Sequence, residues 1–256
     1  MKLIKKITSV LCALMMAVML IIPKVSYASN YNIDRNKVEE SFYEMYDIAK
    51  VSEDIKDANI LEYYKNLAKE TISDSDAINT QVSVSNLNFD DIKVVKTNLD
   101  SETYTSVSIP IKDESYSLLS SLVLVYNNDK IETYVETLFT NDNNKFKIDT
   151  YIDGDLLESK STNIDYVNDN EIQKGLDELH NIAKNKACPS IITPGVGKIA
   201  TCIAAVVGVN AGVAYLIAGT CAASCPAVVP ICVACIAGVC TMGAGDVKAI
   251  VECFKL

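Results

Sequence analysis

The chain has 256 residues with 23 basic and 33 acidic side chains, a formal net charge of −10, nine cysteines, one histidine and no tryptophan. No basic patch is present in either half, which excludes nucleic acid as a partner. Eight of the nine cysteines lie between Cys188 and Cys253, and no Lys, Arg, Asp or Glu occurs between Lys198 and Asp246, so two different materials are joined end to end.

The first 28 residues read as a signal peptide. Lys2, Lys5 and Lys6 precede an uncharged run from Ile7 to Ile22, which Pro23 ends. Small residues at Ser26 and Ala28 predict cleavage between Ala28 and Ser29. The run is short for a membrane span. No twin-arginine pair is present, so the general secretory route is expected. Cys12 leaves with this segment, and the other eight cysteines meet an oxidising compartment, where an even number implies disulfides.

Residues 29–186 form the acidic part, with 16 basic and 31 acidic residues. An α+β domain is expected here, with helices packed on one face of an antiparallel meander. Val38, Phe42, Met45 and Ala49 recur at helical spacing. A second helix is predicted over 58–72, with Leu61, Tyr64 and Ala68 along one face. Leu122 to Tyr126 and Ile131 to Phe139 read as strands around a turn at Asn127-Asn128-Asp129. Asn141-Asp142-Asn143-Asn144 turns next, Phe146, Ile148 and Ile152 alternate with polar residues, and Asp153-Gly154 turns again. Three or four adjacent strands result. A last helix over about 170–184 carries Ile172, Leu176, Leu179 and Ile182 on one stripe.

This part offers no catalytic set. His180, the only histidine, falls off the apolar stripe of its helix and reads as solvated. No cysteine accompanies it in the domain, so a nucleophile-and-base system has no support. The pairs Asp90-Asp91 and Glu39-Glu40 are sequence neighbours, which point apart on a helix or strand. Asn and Asp at 141–144 are ordinary turn formers without the calcium-loop pattern. Eight of the ten glycines lie in the tail, and no phosphate loop is present. An enzyme is not expected, nor is a cofactor.

Residues 187–256 carry 3 basic and 2 acidic residues and read as a small all-α, disulfide-rich apolar domain. Ile199 to Ala218 is a 20-residue uncharged run, about 30 Å long as a helix and long enough to cross a hydrocarbon core. Gly208 and Gly212 lie four apart, so another helix can approach closely, whether in a membrane or beneath a cross-linked neighbour. Gly219 marks the helix end. Pro226 and Pro230 break the next stretch, and Pro230 suits the first position of a helix over 231–242. Cys188, Cys202, Cys221, Cys225, Cys232, Cys235, Cys240 and Cys253 are expected as four structural bridges, each contributing about 2–4 kcal/mol. A unit of this size has too small a core to be generously stable without them. Cys232 and Cys235 are spaced as a redox or zinc pair, which keeps a secreted thiol or zinc protein open as an alternative.

A signal peptide, an acidic middle domain and a C-terminal peptide rich in Cys, Gly, Ala, Val and Ile together resemble the halocin precursors of the C-eight type and their bacterial relatives. The resemblance is carried by Cys202, by Cys221-x3-Cys225, by the Cys232, Cys235 and Cys240 cluster with its Val, Ala, Ile and Gly, and by Cys253. The family's tail has more cysteines and its export uses a twin-arginine signal, so no bridge pairing is carried over. The resemblance implies a secreted bacteriocin released from the C-terminus, acting on the membrane of competing microbes. It also implies an upstream domain that holds the mature peptide and serves as immunity protein. Release needs a processing protease, and Lys184-Asn185-Lys186-Ala187 places exposed basic residues at the junction, with the cut expected between Lys186 and Ala187. A membrane-anchored surface protein with a C-terminal apolar hairpin is the other alternative.

Overall fold

The computed structural model describes residues 51–74, 78–99 and 102–174. Seven strands form one sheet in chain order, each antiparallel to the next. They are β1 (Ser52–Asp54), β2 (Lys93–Leu99), β3 (Glu102–Pro110), β4 (Ser121–Asn127), β5 (Lys130–Asp142), β6 (Lys145–Ile152) and β7 (Asp155–Asp165). One complete helix, α1 (Ala58–Ser73), intervenes between β1 and β2.

Three two-residue turns set the register of the long strands. Asn128 and Asp129 lie at φ 50° and 61°, Asn143 and Asn144 at 53° and 61°, and Asp153 and Gly154 at 51° and 84°. Two successive left-handed residues make the hairpin turn whose twist matches that of the strands, and Asn, Asp and Gly reach that region most readily. The strands then pair from Asn127↔Lys130, Asp142↔Lys145 and Ile152↔Asp155. Gly154 has a second reason to be glycine. A Cβ there would sit 2.9 Å from Tyr134 Oη and 3.0 Å from the Asn79 carbonyl oxygen.

Helix α1 starts on Asp57, whose carboxylate accepts from the backbone N–H of Asn59 (2.9 Å) and Ile60 (3.2 Å). Its Ala68 and Ile72 are buried with Val94, Val107, Ile109, Leu122, Leu124 and Tyr126 on one face of the sheet. Ile78, Val82 and Leu87, from the connection between α1 and β2, close the same core. Tyr126 Oη donates to Thr71 Oγ1 at 3.1 Å and ties helix to sheet.

The expected α+β balance is corrected by this structure. The described residues are mostly sheet, seven strands rather than three or four, with one complete helix. The helix over 58–72, the strands around 122–139 and the three turns are where expected. What escaped notice is β1 to β3. In β3 Val107 and Ile109 are buried on the α1 side while Ser106 and Ser108 are buried on the other, so a strand buried on both faces presents one of them in hydroxyls. The chain becomes helical again at 169–174, with Ile172 buried. Leu176, Leu179 and Ile182, the stripe at Val38 to Ala49 and the whole all-α tail domain lie outside the described residues.

Candidate functional site

Every residue singled out for processing or cross-linking lies outside the described residues: Ala28, Ser29, Lys186, Ala187, Gly208, Gly212 and the eight cysteines from Cys188 to Cys253. So do His180, Glu39 and Glu40. Asp90 and Asp91 are described, on a short 3-10 turn, and they are not brought together. Lys65 Nζ lies 2.6 Å from Asp90 Oδ1 and holds that carboxyl below the usual carboxylate range. Asp91 Oδ2 accepts from Asn88 Nδ2 at 2.5 Å instead. In the 141–144 turn, Asn141 Oδ1 accepts the Asn144 N–H at 2.9 Å and Asp142 Oδ2 accepts from Ser161 Oγ at 3.1 Å. Among the described residues no three His, Cys, Asp or Glu side chains gather to hold a metal. No helix among them is long and apolar enough to cross a membrane.

Three features were not legible beforehand. The first is a cleft of about 320 Å³ between the start of α1 and the β2–β3 and β4–β5 hairpins, lined by Ile55, Tyr64, Lys96 and Asp129 among others. Asp129 accepts from Tyr63 Oη and Tyr64 Oη, both at 3.1 Å. The Tyr63 phenol is pushed up by its bond to that carboxylate, and the Tyr64 phenol mainly by burial. Phenols raised in this way stay protonated at neutral pH and serve as donors.

The second is Glu136, a carboxylate buried on the α1 side of the sheet. It accepts the backbone N–H of Gln81 at 2.8 Å and of Val82 at 3.1 Å. Burial pushes its carboxyl up, against the opposing pull of those two N–H groups. Its partners are backbone groups of the segment leading into β2, so it fastens that segment over the core.

The third is the face of the sheet opposite α1. Register places Val95, Ser106, Val125 and Thr133 in one row across β2 to β5. The next row holds Ser108, Val123 and Val135, and the next Ser121, Thr137 and Thr150. Ser52 and Thr97 join their hydroxyls at 2.9 Å along the β1 side. All of these side chains are at least nine-tenths buried. Val123 and Val125 form a cluster of their own, with half-buried Tyr104 as the described hydrophobic residue packed against it. Two hydroxyls on this face, Ser108 Oγ and Ser121 Oγ, are fully enclosed and have no hydrogen-bond partner among the described residues. A buried hydroxyl left unpaired costs about 1–3 kcal/mol. At one end the face is closed by described chain: Phe139 meets Phe146 edge-on at 6.4 Å, and Tyr166 lies 4.7 Å from Phe146. Asp169 Oδ1 accepts the Leu118 N–H at 2.8 Å beside them. The result is a buried sheet face of small hydroxyl and valine side chains.

The chain matches no protein-family model, no curated protein and no solved structure.

Proposed function

We propose that the chain is the secreted precursor of a disulfide-stapled antimicrobial peptide. The peptide is residues 187–256, released near Lys186–Ala187 and active on the membrane of competing microbes. Residues 29–186 hold it until release and protect the producer. The observation that carries this reading is the change of material at residue 187. Before it, the exported chain has no cysteine and a net charge of −15; after it come eight cysteines and a net charge of +1. An exported, cysteine-dense segment of 70 residues is built to persist alone outside the cell. A carrier for it needs a wide surface rather than a reactive centre, and the breadth of the sheet supports that reading.

The test is the mass and activity of what reaches the culture medium. A product starting near Ala187, lighter by about 8 Da than its reduced form, is expected, since four bridges remove eight hydrogens. It should kill related strains. A secreted form that always keeps residues 29–186, or a pure tail that neither permeabilises nor kills, removes the proposal. The 20-residue run Ile199–Ala218 favours a second reading, an anchor in the producer's own membrane. Carbonate extraction separates the two, because an anchored chain stays with the membrane and a precursor does not.

A further inference from the structure

We infer that the cleft at the start of α1 is a binding site for a small zwitterion with an apolar body, a free amino acid or a short peptide. The site owes nothing to the tail, since every side chain that lines it belongs to the described residues.

Two opposite charges line this cleft and are not joined to each other. Lys96 of β2 lies opposite Thr105 of β3, two residues along from the Val94↔Val107 pair of the α1-side core, so it faces that same side. Its ammonium forms no ion pair among the described residues. Asp129 is held by its hairpin turn, at φ 61°, and by the phenols of Tyr63 and Tyr64 at 3.1 Å each. A ligand with a single charge satisfies one of these two groups and is repelled by the other. A ligand with an ammonium and a carboxylate satisfies both.

The hydroxyl hydrogens around the cleft are already committed, and this decides the polarity that it shows. Tyr64 Oη gives its one hydrogen to Asp129, so in the 3.2 Å contact between Tyr64 and Thr105 the threonine is the donor. Thr103 Oγ1 donates to Asn98 Oδ1 at 3.0 Å. What these hydroxyls have left is oxygen lone pairs, beside those of the Asp129 carboxylate. An ammonium carries three donors and no acceptor, and fits that lining. A carboxylate only accepts, and the charged donor in the cleft is Lys96. Ile55, Ile60 and the ring of Tyr64 supply an apolar wall. Ile60 is 42% exposed on α1, and the hydrocarbon part of a bound ligand covers it. The volume of about 320 Å³ lies at the low end of small-molecule sites, roughly 300–1,000 Å³, and limits the ligand to a small one.

Titration of the full-length chain with leucine, followed by the backbone amide resonances of Thr103, Thr105 and Asn128, tests the site. Leucine is expected to shift them saturably. Isoamylamine is leucine without its carboxylate, and isocaproate is leucine without its ammonium. Each is expected to bind about tenfold more weakly, because one charge-assisted hydrogen bond is lost. Leucyl-leucine separates the two sources of this chemistry: tighter binding than leucine assigns short peptides, and binding no tighter assigns free amino acids. Lys96→Gln is expected to weaken leucine about tenfold and to leave isoamylamine as it was. Asp129→Asn is expected to weaken leucine and to leave isocaproate as it was. Both side chains are exposed, and amide resonances away from the cleft check that each variant is folded. The inference is overturned if neither leucine nor leucyl-leucine shifts the three resonances at about 10 mM. It is overturned equally if the singly charged analogues bind as well as leucine, or if the two variants weaken every ligand alike.

Discussion

Glu136→Ala separates the two opposing forces on a carboxylate buried in the sheet. The side chain is 1% exposed and accepts two backbone N–H groups, from Gln81 at 2.8 Å and from Val82 at 3.1 Å. Gln81 is exposed, so its N–H turns to water when the acceptor is lost. Val82 is buried and its N–H cannot, which costs about 1–3 kcal/mol. Removing a buried ion returns part of that, while the space left behind adds a cavity term. A net loss of about 2 kcal/mol is expected at neutral pH. The pH dependence has a definite sign. Burial raises the folded carboxyl above its unfolded value, so the native state holds the proton more tightly. The stability contributed by this group is complete below the ordinary carboxylate range and falls as pH rises through the folded value. Wild type should therefore exceed the alanine variant by more in acid than at neutrality. Urea titrations of both proteins, followed by the fluorescence of the 13 tyrosines in a chain without tryptophan, measure the difference at each pH. A loss under about 0.5 kcal/mol would refute the claim that Val82 depends on Glu136. A gap that widens toward neutral pH would refute the dominance of burial.

Gly154→Ala puts a Cβ at φ 84° and against Tyr134 Oη and the Asn79 carbonyl, and should lower stability by about 2–4 kcal/mol in the same titration. Tyr126→Phe removes the donor to Thr71 while Thr71 keeps its bond to the Leu67 carbonyl, so a loss of only about 0.5–1.5 kcal/mol is expected by thermal melting. Asp129→Asn takes the charge from between Tyr63 and Tyr64. Spectrophotometric titration should show the Tyr63 phenol falling toward its ordinary value more than Tyr64, whose shift is set first by burial.

The parts of the fold that sequence reveals are those with local causes. Asp57 caps a helix whose apolar residues recur at 61, 64, 68 and 72, and both are visible within one short window. Asn128-Asp129, Asn143-Asn144 and Asp153-Gly154 announce hairpins because few residues reach φ near 60°. The missed strands have no such mark. β1 has three residues, and the aliphatic face of β3 is only Val107 and Ile109, its other buried face being Ser106 and Ser108. β7 is marked only by the turn before it, since Leu156 and Leu157 are exposed at the sheet edge. Glu136 reads as a surface residue in a strand, since its partners stand more than fifty positions away. The cysteine pattern of the tail is legible as composition and spacing, which supports the proposed export and four bridges but carries no geometry.

The two faces of this sheet differ in a way that bears on the proposed release of the tail. The α1 side is filled by Ile, Leu and Tyr at Ile109, Leu122, Leu124, Tyr126, Tyr134 and Leu138, each worth about 1.5–3 kcal/mol when fully buried. The opposite side offers valine and hydroxyl groups, which bury less apolar surface per residue and gain little net free energy from each hydrogen bond. A permanent core is best made from the first material. A surface that must exclude water from a cargo and later part from it is better made from the second, because the same area then holds less tightly. On this account, enlarging the apolar content of the second face, for instance by Ser106→Val, should strengthen retention of the cleaved tail. Gel filtration after cleavage at the 186–187 junction would show more tail co-eluting with residues 29–186 than in wild type. Unchanged or weaker retention, with folding intact by circular dichroism, would separate the hydroxyl content of this face from any role in letting the tail go.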